Sequence, residues 1–128
     1  MEKQVIYNTD LHFEHKQWRS ELAFWEDELK SFKNRLEDLV NRSTNKEAFA
    51  QLEHYQNAFI RHAEVIDILQ HDINVHETDM GKHAIKDEDV LNTTLVKKHV
   101  EFRNRMEIQR HIYAELKKEF FHFLTKYM

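Results

Sequence analysis

The sequence predicts an all-α protein: a single domain over residues 1–128, folded as an antiparallel three-helix bundle of long helices running up, down and up. Three observations predict it. The chain holds no proline and a single glycine, Gly81, so the residues that most often interrupt helices are nearly missing. Apolar residues recur at alternating steps of four and three, a heptad-like stripe, in three separate segments. Residues that favour helix ends stand between the stripes.

The first stripe reads Leu11, His15, Trp18, Leu22, Trp25, Leu29, Phe32, Leu36 and Leu39. Asn8, Thr9 and Asp10 offer an N-cap, and Asn41, Arg42 and Ser43 stand where the stripe stops, so the first helix is expected near Asp10–Asn41. Thr44 followed by Glu47 has the spacing of a capping box, which starts a second helix within a few residues and forces it antiparallel to the first. The second stripe runs Ala48, Leu52, Tyr55, Phe59, His62, Ile66, Leu69, Ile73, His76, Met80. Gly81 is the natural left-handed C-cap there, giving a helix over Asn45–Met80 and a link from Gly81 to Lys86. Asp87, Glu88 and Asp89 then provide an acidic first turn for a third helix reaching Tyr127, although Asn92, Thr93 and Thr94 are poor helix formers and allow a later start. Its stripe is Leu95, His99, Phe102, Met106, Gln109, Tyr113, Leu116, Phe120, Phe123, Tyr127.

Folding these stripes at the turns sets Leu39 near Ala48, Leu29 near Phe59, Leu22 near Ile66 and Leu11 near His76. The third helix then brings Leu95 to Ile73, His99 to Leu69, Met106 to His62 and Leu116 to Leu52. The second helix carries seven acidic against two basic residues and the third eight basic against four acidic, so the two are expected to attract each other. Trp18 and Trp25 read as core fillers, His62 as a hydrogen-bonded core histidine, and Gln109 and Tyr55 as polar groups that set register. Apolar residues off the stripes, including Phe24, Ile60, Ile68, Val75, Ile108 and Phe121, form a second sticky face and make a homodimer or another helical protein the expected partner.

Several kinds of chemistry are excluded. One glycine cannot build a phosphate-cradling loop, and neither a cysteine nor a serine in a strained turn is present as a nucleophile, Ser20, Ser31 and Ser43 all lying elsewhere. No catalytic constellation emerges. A net charge of −4 gives no reason to expect nucleic acid, no apolar run is long enough to cross a membrane, and the opening MEKQVIYNTD lacks the apolar segment of a secretory signal. A cytoplasmic protein is expected.

Histidine is the anomaly. Of ten, six are expected near one end of the rod: His12, His15, His71, His76, His83 and His99. The candidate metal ligands are His12, His15, His76 and His99, helped by Glu14, Asp72 or Glu77, because imidazoles and carboxylates converging from three helices suit zinc, iron or manganese. Such binding is expected to fade below the ordinary imidazole pKa of about 6.5. The competing reading is a polar layer that fixes helix register. Known metal bundles give no match: the hemerythrin-like pattern needs HxxxE and HxxxH, and only His111 with Glu115 fits, while the ferritin-like pattern needs two ExxH motifs, and only Glu119 with His122 fits. Through Leu11-His12-Phe13-Glu14-His15-Lys16 and Trp18, the chain resembles short bacterial all-helical proteins of unknown function. That resemblance spans the first two helices and implies an all-helical fold but no activity. Two functions are left: a structural or interaction module that self-associates, or a metal-binding bundle acting as enzyme, sensor or store.

Overall fold

The computed structural model describes residues 8–42, 46–84 and 93–127, all of them helical. Helix α1 covers Asn8–Arg42, α2 Lys46–Ala84 and α3 Thr93–Tyr127. The capping-box residue Thr44 and the acidic run at 87–89 lie outside the described residues. At about 1.5 Å per residue each helix is roughly 50 Å long, as expected for a rod. No helix is long and apolar enough to cross a membrane.

The stripes form the core. Leu22, Phe59, Ile66, Ile73, Met106 and Phe120 are wholly buried, with Trp18 and Trp25 beside them as fillers. The end away from the histidines is built of aromatic rings, with Phe59 edge-on to Phe120 at 4.9 Å and Tyr55 5.1 Å from Phe123. Tyr55 donates its hydroxyl to the Glu119 carbonyl at 3.2 Å, and Gln109 Nε2 lies 3.0 Å from His62 Nδ1. Tyr55, His62 and Gln109 are thus satisfied across helices.

Gly81 does not cap α2. The helix runs through it to Ala84, and a Cβ at Gly81 would meet nothing within 4 Å, so neither packing nor backbone shape demands glycine there. The register differs from the expected one as well. His15 faces His76 and Phe32 faces Phe59, one stripe step from the expected pairing, whereas His99 lies level with His76 instead of Leu69, a full heptad away. Partner numbers fall in α2 as they rise in α1 and α3, so α2 runs antiparallel to both.

The charges also pair differently from expectation. Arg103 binds Glu14, Arg110 binds Glu21 and Lys117 binds Glu28, each pair 89 positions apart and each one heptad beyond the last. This ladder ties α3 to α1 in parallel, in the manner of flanking charges beside a coiled-coil seam. Arg105 meets Asp72 of the acidic α2 at 3.0 Å. The ladder also closes over Tyr113, whose hydroxyl donates to Glu28 at 2.6 Å; burial and that carboxylate push the phenol well above its ordinary range.

A histidine layer sealed in the bundle

Each helix carries a histidine on its stripe at this end of the bundle, and the observed register puts the three in a single layer. His15 from α1, His76 from α2 and His99 from α3 are exposed by no more than 2%. Their ring centroids lie 4.9–5.8 Å apart, and one nitrogen from each ring lies within 4.8 Å of the other two. On one side, Trp18 stacks on His99 at 4.8 Å and approaches His15 at 5.3 Å, while Phe102 lies 5.1 Å from His76. On the other, Leu11 and Met80 pack with Leu95 and Val96 into a small apolar cap separate from the main core. The layer is therefore a polar sheet between two apolar blocks.

Two of the rings are held from outside by carboxylates. His15 donates its Nδ1 proton to Glu77, which also accepts from His12, and His99 donates its Nε2 proton to Glu14, which is gripped by Arg103 at 2.9 Å. Partial burial works to raise both glutamates, but the hydrogen bonds from Arg103 and His99 on Glu14, and from His15 and His12 on Glu77, outweigh it and hold both carboxyls below their usual range. They are ionised at neutral pH, so they only accept, and the outer nitrogens of His15 and His99 must carry the protons. The inner nitrogens, His15 Nε2 and His99 Nδ1, are then both lone-pair atoms, and they face each other at 3.1 Å. A proton between them would relieve the clash, but burial lowers the pKa of both rings.

His76 has no such partner. Both of its ring nitrogens are buried without a hydrogen bond, and burial, followed by the neighbouring His15 and His99, drives its pKa down to about 4. A buried polar group left unpaired costs about 1–3 kcal/mol. A groove of about 230 Å³ between α2 and α3, lined in part by His76, Phe102, Lys98 and Arg105, lies beside this ring.

Of the residues named from sequence, His15, His76 and His99 meet, Glu14 and Glu77 stand directly behind them, and His12 is an exposed rim residue on Glu77. Asp72 is not in the cluster, being held by Arg105; His71 is exposed, and the His83 side chain lies outside the described residues. Arg103, Trp18 and Phe102 were missed as site residues, although each occupies a regular heptad position relative to a histidine or to Glu14. Comparison with protein-family models, with curated proteins and with solved structures finds no match to the chain.

The donors fit a small ion. With bonds of about 2.0–2.1 Å, a tetrahedral ion holds its nitrogen ligands roughly 3.3 Å apart, close to the 3.1 Å between His15 and His99. His76 would close in by on the order of 1 Å. Glu14 and Glu77 would balance the charge of a dication, and each would stand behind a ligand in the carboxylate–histidine–metal arrangement that fixes tautomer and ring orientation.

Proposed function

We propose that the protein is a metal-binding helical bundle whose centre is a first-row transition-metal ion held by His15, His76 and His99. The observation that carries this reading is His76, buried with both nitrogens unpartnered beside two lone pairs that already face each other. A purely structural polar layer would satisfy its members, whereas this one leaves His76 without a partner. Because the three ligands come from three helices, the ion ties the histidine end of the rod together, and binding stabilises the fold by RT ln(1 + [L]/Kd). Sealed between Trp18, Phe102 and the Leu11–Met80 cap, the site suits a structural or sensing role more than turnover of a substrate.

The test is metal analysis of untagged protein purified without chelator, followed by calorimetric titration with zinc and manganese. One equivalent of zinc per chain is expected to bind in the titration, with manganese weaker because three imidazoles suit zinc better. Glu14→Gln and Glu77→Gln should each weaken zinc about 10–100-fold, whereas His54→Ala, remote from the layer, should not. A parent protein that takes up no metal overturns the reading.

Self-association is a second reading, favoured by a stripe of exposed aliphatics. On either side of the Arg105–Asp72 bridge, heptad steps along α2 reach Val65, Ile68 and Val75, and along α3 Ile108 and Ile112; Ile68 and Ile108 are 54% and 61% exposed. A second copy packing on this seam would give a dimer in sedimentation at micromolar concentration, dissociated by Ile68→Lys. A 15.7 kDa monomer across that range would refute it.

A further inference from the structure

We propose that Met80 supplies a fourth ligand through its thioether, giving a three-histidine, one-methionine donor set that favours copper, above all copper(I), over zinc. This rests on the metal reading above and names the ion. Glu14 and Glu77 are already committed to His99, Arg103, His12 and His15. One stripe step from the histidines stand Trp18, Ile73 and Phe102 on one side and Leu11, Met80 and Leu95 on the other. Of these six only Met80 has a side-chain atom with a lone pair for a metal, since the indole nitrogen of Trp18 is a donor only.

Helix direction puts that atom on the right side. A helical side chain leans toward the N-terminus of its helix, over the turn that precedes it. Trp18 and Phe102 follow His15 and His99 in sequence, and both lean back over the histidine layer, as their ring contacts with the three imidazoles record. Met80 follows His76 by one turn on the same face of α2, so it leans back over the layer too. Because α2 runs opposite to α1 and α3, it does so from the opposite side. Leu11 and Leu95 precede their histidines and lean away. Met80 is 1% exposed, so its sulfur is held in a dry, unbranched side chain that can adjust its reach. Soft thioether donors select copper(I), and burial among apolar groups excludes competing water.

The experiment compares the parent with Met80→Leu, a volume-conserving exchange, in copper(I) titrations under a reductant against a chromogenic chelator, and in zinc titrations. Copper(I) affinity should fall at least tenfold in the variant while zinc affinity changes less than threefold. X-ray absorption at the copper edge of the parent should show one sulfur neighbour with the nitrogens, a readout that does not depend on the variant's folding. Equal copper(I) affinities, or a shell of nitrogen and oxygen only, overturn the role of Met80. Failure of the parent to bind either metal instead overturns the metal reading itself.

Discussion

His76→Leu is expected to stabilise the metal-free protein and to destroy its metal binding. The two effects have one cause. Both imidazole nitrogens of His76 are buried without partners, and removing them relieves a penalty of about 1–3 kcal/mol. Leucine keeps the position apolar between Ile73 and Met80, whose side chains are already buried on the same stripe. Replacing a poorly satisfied buried polar group with a packed hydrophobe is the setting in which such exchanges are neutral or favourable. For the metal, a direct ligand is lost, so the drop should exceed the 10–100-fold typical of an outer carboxylate. Urea unfolding in the presence of chelator, paired with zinc titration, checks both. If His76 were an ordinary structural histidine, leucine would lower the urea midpoint; that outcome, or zinc affinity unchanged, would remove His76 from the site.

How much of this was legible in the sequence follows from what the heptad can encode. The stripes specify which residues face inward, and His15, His76 and His99 are inward on that ground alone. They do not specify how far one helix slides along the next, because a slide of one heptad presents an equally apolar face. His99 lies beside His76 and not Leu69, and Gly81, read as the end of α2, lies inside a helix that continues to Ala84. The propensity cost of a glycine inside a helix, about 1 kcal/mol, is not enough to end it. Charge was misleading for a related reason. Net signs of α2 and α3 predicted their attraction, but the pairs that formed depend on heptad flanks, and Glu14, Glu21 and Glu28 on α1 meet Arg103, Arg110 and Lys117. Glu14 was named from sequence as a helper; its grip on His99, with Arg103 behind it, needed the parallel alignment of α1 and α3. Asp72, a turn before His76, has the spacing of a helper but has Arg105 within reach on α3.

The second large effect is on pH dependence, and it distinguishes the metal-free from the metal-loaded protein. In the unfolded chain His76 takes up a proton near pH 6.5, whereas in the folded bundle it resists protonation down to about 4. As pH falls through that window the unfolded state binds the extra proton, so stability that is complete above pH 6.5 is progressively lost and levels off below 4. The loss from His76 alone is roughly 3 kcal/mol, and His15 and His99, also lowered by burial, act in the same direction. Glu14 and Glu77 have lowered pKa values, so their contribution is present above the unfolded carboxylate value of 4.5 and vanishes as pH drops through the folded ones. Metal-free protein should therefore soften in two stages, histidines first and glutamates after. Burial lowers all three imidazoles, so metal affinity should persist to lower pH than free imidazole chemistry would give. Thermal unfolding between pH 4 and 8, with chelator and with excess zinc, should show the first stage in the chelated sample and its suppression by zinc. In His76→Leu the chelated curve should flatten by the His76 share; a slope identical to that of the parent would mean that this histidine is not kept neutral by its burial.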